Sequence, residues 1–329
     1  MKPIERVYAC IERKPFDRIP IRHLAEPEIN DKLYDYFNII PGNYDELLDA
    51  LGDDFRSIRP EYCGPAVLSH SGKPLPVKDT ETPDDIPDDI FPKPEWFDYS
   101  GVRAMCEKYK DYARIAGYCE FDFINSISFV RGFEQVIMDI AERNPVYTEL
   151  VKIRAERTHK YLENILQSAD GGIDIVHFGE DLGTQLNLMI SIETFDLLFA
   201  EYYMRGFELA HKYGAKTMMH SCGSVWKAIP RLAEIGLDIL DVVQTNAAGM
   251  DIERLKNLYG NDICFAGSMC VQNVLPFEPP EVVRAETEKR LALFSGGGLI
   301  LGPSHLIRPE TSVENIIEMY KTASSHYFM

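Results

Sequence analysis

The chain has 329 residues, 45% hydrophobic and 26% charged, which supplies a full-sized core and excludes a disordered chain. Its 52 acidic against 34 basic side chains leave a formal charge of −18, a field that repels nucleic acid and anionic membrane surfaces, so neither is expected as a partner. Seven cysteines without a Cys-x-x-Cys, an N-terminus without a signal-like apolar run, and no stretch of membrane-spanning length point to a reducing, cytoplasmic setting.

In chain order, residues 19–24 read as a first strand, and residues 78–96 as a Pro/Asp-rich, solvent-exposed insertion. Residues 114–117 read as a strand and 133–140 as a helix. Cys10, Cys63, Cys106 and Cys119 read as small core or subsurface residues. From residue 146 the pattern becomes regular. A helix over 151–166 leads to a strand over 173–178 and a turn at Glu180-Asp181-Leu182-Gly183. A helix over 195–212 then leads to a strand over 215–219, followed by a helix over 226–235 interrupted at Pro230. Strands over 239–243, 263–266 and 299–301 alternate with helices over 252–259, 281–294 and 313–322.

Short apolar strands separated by amphipathic helices imply a parallel sheet with both faces covered. No Gly-x-Gly-x-x-Gly turn opens a helix, which disfavours a dinucleotide-binding sheet. The polar residues Asp181, His220, Cys222, Gln244, Cys270 and His305 all fall just past strand ends. In a (β/α)₈ TIM-type barrel those ends share one mouth, so the expected fold is such a barrel, one domain over residues 1–329 with an N-terminal extension.

Within His220-Ser221-Cys222-Gly223, residues two apart on an extended chain point to the same side, delivering an imidazole and a thiol to one spot. That donor pair suits a catalytic zinc. Eight His and seven Cys make a chance His-x-Cys too common to carry weight alone, so the reading depends on the strand end. The same pair also fits a hydrogen-bonded pocket. His305 is either a third ligand or a donor to a substrate carboxylate or carbonyl. Cys270 is either an additional ligand or a buried thiol. Asp181 is a candidate acid, base or partner of a ligand, Glu180 is expected to alternate outward, and Gln244 is a candidate substrate-binding side chain. Met218 and Met219 read as barrel core.

The segments Gly179-Glu180-Asp181-Leu182-Gly183-Thr184-Gln185, His220-Ser221-Cys222-Gly223 and Gly302-Pro303-Ser304-His305, followed by Arg308-Pro309-Glu310-Thr311 and Glu314-Asn315, resemble the uroporphyrinogen decarboxylase superfamily. Arg131-Gly132-Phe133-Glu134 is a weaker match. This superfamily includes decarboxylases and zinc-dependent corrinoid methyltransferases. The resemblance implies a (β/α)₈ barrel. It also implies zinc on His220 and Cys222, with His305 where the thiol methyltransferases carry a later cysteine. The decarboxylases' arginine-rich N-terminal pattern is replaced by Ile19-Pro20-Ile21-Arg22-His23-Leu24-Ala25-Glu26-Pro27, in which Arg22 stands alone. The expected function is zinc-dependent methyl transfer from a corrinoid, carried on a separate partner protein, to a small-molecule thiol. The alternatives are a decarboxylase of tetrapyrrole metabolism, with Asp181 and His305 at work, and a non-catalytic tetrapyrrole or corrinoid binder.

Overall fold

A computed structural model describes residues 1–68 and 75–325, leaving aside the side chains of residues 118 and 119. The helices start and stop where the local chemistry dictates. Asn144 accepts from the Val146 N–H and Pro145 fills the first turn of helix Pro145–Ala169, which ends at Asp170 in the left-handed region. Ser191 caps Ile192–Leu198 and Asp251 caps Ile252–Tyr259 in the same way. Between helices run β1 (Phe55–Ile58), β2 (Glu61–Tyr62), β3 (Phe97–Asp98), β4 (Ala113–Phe121), β5 (Ile175–Gly179), β6 (Lys216–His220), β7 (Ile239–Val243), β8 (Cys264–Met269) and β9 (Leu299–Pro303).

Among the described residues, seven strands form one sheet in the order β1-β4-β5-β6-β7-β8-β9, with every pairing parallel. β2 and β3 pair antiparallel outside it. The sheet curls, and both of its edges bond to the segment around Ile21. Arg22 N–H donates to the Leu301 carbonyl at 2.9 Å and Leu301 N–H to the Pro20 carbonyl at 2.8 Å, while on the other side Asp54 N–H donates to the Ile21 carbonyl at 2.9 Å. Residues 19–24 therefore make one isolated bridge, Ile21 to Leu301, instead of a regular strand, and Pro20, which has no N–H, is one physical reason. This curled parallel sheet with helices is consistent with a TIM-type fold.

Alternation along the strands sorts the core into two layers. Phe55, Ile115, Ile175, Met218, Ile239 and Ile300 pack in one cluster with Val7 and Ile11 of helix Pro3–Ile11. Their alternates Val176, Met219, Leu240, Phe265 and Leu301 belong to the larger cluster shared with the surrounding helices. Most of the first set lies near strand starts, so the N-terminal extension covers that end of the sheet and leaves the C-terminal ends for chemistry.

Several expectations need correction. Residues 195–212 form two helices, Ile192–Leu198 and Ala200–Lys212, meeting at Phe199. Pro230 opens helix Ile229–Glu234 and does not interrupt a longer one, because its fixed φ suits a first turn. The insertion exposes Asp84, Asp85, Asp88 and Asp89 as expected, yet it buries Ile90 and Phe91. Arg131 donates to the carbonyls of Val77, Lys78 and Thr80, and Arg157 to that of Phe91, so the segment is tied down. Cys10 and Cys106 are buried, Cys63 is exposed, and the Cys119 side chain lies outside the described residues.

Candidate metal centre

Moving along the inward positions toward the strand C-termini, hydrocarbon gives way to polar groups. Ile175 is followed by His177 on β5, Met218 by His220 on β6, and Ile239 by Asp241 on β7. Register places His220 beside Asp241 and Gly179 beside His220. Asp241 is almost fully buried, and its Oδ2 lies 3.0 Å from His177 Nε2, 3.2 Å from Arg22 Nη1 and 3.7 Å from His220 Nδ1. Burial pushes this carboxyl up, but Arg22 and the two histidines together outweigh it and hold Asp241 well below the ordinary range. His177, buried among them, is pushed down to about 4 and is neutral at pH 7.

Above this layer, two loops carry the site. Cys222 N–H donates to Asp181 Oδ1 at 2.9 Å, and Asn125 Nδ2 donates to Asp181 Oδ2 at 2.8 Å. Leu182 N–H donates to the buried Ser221 Oγ, and Ser224 N–H to the Thr184 carbonyl. The loops touch backbone to backbone at two glycines. A Cβ on Gly183 would stand 2.6 Å from the Cys222 carbonyl oxygen, and one on Gly223, whose φ is +78°, 2.5 Å from that of Thr184. Only glycine permits that approach, which fixes Asp181 against Cys222.

The ligand atoms of His220, Cys222 and His305 all lie within 4.8 Å of one another. His220 Nε2 is 3.3 Å from Cys222 Sγ, close to the spacing of about 3.5 Å that a tetrahedral zinc imposes on nitrogen and sulfur ligands. The His220 and His305 rings meet edge to face, with centroids 5.6 Å apart. Ser304, buried just before His305, accepts from the Val271 N–H and so ties the end of β9 to that of β8. Two imidazoles and a thiol form a donor set suited to zinc, and three protein ligands leave one tetrahedral position for water or substrate. Burial raises the Cys222 thiol pKa despite His220 nearby, and burial together with His220 lowers that of His305. Without an ion, therefore, the thiol keeps its proton and His305 is neutral. Cys270, buried beyond β8, does not join the group among the described residues.

Gln244 has a structural partner. Its Oε1 accepts the Gly223 N–H at 2.8 Å, so its carbonyl is committed to holding the Cys222 loop. Glu180 does not alternate outward. It is buried, and its carboxylate accepts the N–H groups of Phe123 and Ile124 and contacts Tyr203 Oη at 2.9 Å. Tyr203 Oη also donates to the Gly179 carbonyl at 2.7 Å, and its one proton cannot serve both acceptors. The network closes when Glu180 carries a proton and donates it to Tyr203 Oη. Burial and the neighbouring Asp122 push the Glu180 pKa up, in keeping with that count.

The residues missed in the sequence are Asp241 and His177, both in the layer beneath the site. The available signal was a charge inside an apolar strand, Ile239-Leu240-Asp241-Val242-Val243, because a carboxylate there requires a buried partner. Beside the site opens a cavity of about 370 Å³ whose lining includes Arg22, Arg56, Arg59, His177 and Leu306. Arg22 thus does not stand alone. Arg56, however, is paired with Asp49, Asp45 and Asp53, and Arg22 with Asp241.

The family model described as Uroporphyrinogen decarboxylase (URO-D) matches residues 64–326. A solved methyltransferase from Methanosarcina mazei is similar in fold, with a TM-score of 0.67 at 16% identity over 98% of each chain. No curated protein matches the sequence. Among the described residues, no helix is long and apolar enough to cross a membrane.

Proposed function

The chain belongs to the uroporphyrinogen decarboxylase family, and on that footing we propose that it is a zinc-dependent methyltransferase. In this reading a (β/α)₈ barrel over residues 1–329, its sheet completed by the bridging segment around Ile21, moves a methyl group to a small thiol or similar nucleophile. The donor is a corrinoid on a separate protein. The observation that carries the reading is the convergence of His220, Cys222 and His305 from two strand ends. Bound zinc would hold a substrate thiol as its thiolate, the reactive form, near neutral pH. The chain's own residues prepare the place. Asp181 and Gln244 hold the Cys222 loop through its backbone N–H groups. Cys222 would release its proton to solvent on becoming a ligand, leaving the Nε2 lone pair of His220, 3.3 Å from its sulfur, for the metal.

A second reading, decarboxylation of a tetrapyrrole or aromatic carboxylate, draws on the arginines of the neighbouring cavity. It is the weaker one, because Arg22 and Arg56 already neutralise protein carboxylates, and a substrate with several carboxylates needs cations that are not so engaged. Elemental analysis of reconstituted protein, with methylcobalamin plus a thiol panel assayed beside uroporphyrinogen, separates the readings. We expect about one zinc per chain and zinc-dependent demethylation of the corrinoid. Decarboxylated porphyrinogen formed without zinc would establish the second reading, and zinc without turnover would leave a binding protein.

A further inference from the structure

We propose that Asp241 is a positioning residue for His220. It holds the imidazole proton on Nδ1, so that the lone pair of Nε2 faces Cys222 and His305. The inference rests on the metal-site reading above and extends it to groups outside the ligand set. A neutral imidazole has one N–H, and its location is set by what each nitrogen faces. Nδ1 of His220 faces Asp241 Oδ2 at 3.7 Å, while Nε2 faces Cys222 Sγ at 3.3 Å and Asp181 Oδ1 at 3.6 Å. The first contact is an ion–dipole one, and a ring shift of about half an ångström would make it a hydrogen bond.

Two carboxylates therefore compete for the proton, and burial decides between them. The Asp241 side chain is 2% exposed and that of Asp181 27% exposed, so water screens the pull of Asp181 far more. Both oxygens of Asp181 are also engaged, Oδ1 by the Cys222 N–H and Oδ2 by Asn125. Asp241 in turn is held by donors from two other elements. His177 Nε2 at 3.0 Å and Arg22 Nη1 at 3.2 Å both address Oδ2, the oxygen that faces His220. Arg22 is itself steadied by Met218 Sδ at 3.2 Å. The chain Arg22–Asp241–His220 thus runs from the edge-bridging segment through β7 to β6, and its last member presents a lone pair where the sulfur and the second imidazole converge.

Two measurements test this. Long-range proton–nitrogen NMR on the zinc-free parent reads the His220 tautomer directly. We expect the Nδ1–H form to predominate, and a predominant Nε2–H form overturns the proposal without any variant. Chelator competition then compares zinc affinity in the parent and in Asp241→Asn, which keeps the shape and removes the charge. The expected loss is about 10- to 100-fold, together with growth of the Nε2–H tautomer. A dissociation constant within about threefold of the parent, with the tautomer unchanged, overturns it. Should Asp241→Asn fail to fold, the parent spectrum still decides. A parent that binds no zinc refutes the metal reading, and the tautomer measurement then reports on Asp241 separately.

Discussion

The two sides of the strand-end mouth solve the same electrostatic problem in different ways. On the cavity side, around Arg22, Arg56 and Asp53, buried charge is met by opposite charge: Arg56 is 3% exposed and ringed by Asp45, Asp49 and Asp53, with its guanidinium over the Tyr112 ring. On the side of His220, Cys222 and His305, burial keeps the Cys222 thiol protonated and His305 neutral, and the nearby buried Glu180 is met by the N–H groups of Phe123 and Ile124 and by Tyr203 Oη. Paired charges make a wall. Nitrogen and sulfur donors make a place for a metal cation.

The largest effect expected from breaking this contrast is on the neutral side. Zinc-site energies of about 10–16 kcal/mol shared over four ligands put roughly 2.5–4 kcal/mol on each, so Cys222→Ala should weaken zinc binding roughly 100- to 1,000-fold. Chelator competition reads the loss, and circular dichroism should show the fold intact, because the partly exposed thiol carries little packing. Undiminished zinc affinity in this variant would remove Cys222 from the site.

Next comes the paired side, where removing a charge should act on stability and spare the metal. Arg56→Met leaves Asp53 without its cation, but two of the three carboxylates around Arg56 are substantially exposed. Asp53 itself, pushed up to about 7 by burial, takes a proton in place of remaining an isolated charge. The expected cost is therefore about 2 kcal/mol, below that of breaking a fully buried pair. Urea unfolding measures it, with zinc affinity unchanged within error. A variant as stable as the parent but deficient in zinc would show that the two sides are not separate.

The contrast was legible from the sequence on one side only. The elements of β5 to β9 and the trio His220, Cys222 and His305 could be read because strand, turn and helix follow one another at short range, and because residues two apart on a strand share a face. The cavity side depends on contacts across long separations. Arg22 meets Asp241 across the fold, Arg6 and Arg18 both reach Asp54, and residues 19–24 bridge two strands without forming one themselves. Alternation fixes which face a residue takes only while the strand continues. Glu180, one residue beyond β5, was misread for that reason: its direction is set by the N–H groups of Phe123 and Ile124, which no local pattern announces.

The smallest effect sharpens the neutral side. Glu180 has a raised pKa in the folded protein, through burial and the nearby Asp122. In the unfolded chain its pKa is about 4.3. Above that pH the unfolded chain releases the proton and the folded one retains it, so this group's contribution to stability is full at low pH and declines as pH rises through neutrality. Glu180→Gln removes the titration. It also places an amide N–H₂ where one oxygen accepts a backbone N–H, at a cost of about 1–2 kcal/mol. Urea unfolding should therefore find the variant less stable than the parent at pH 5 and the gap smaller at pH 8, with Asp122 common to both proteins. A gap that stays constant or widens with pH would mean that Glu180 is ionised in the folded state. The neutral side would then hold a buried anion after all, one stabilised by N–H donors alone.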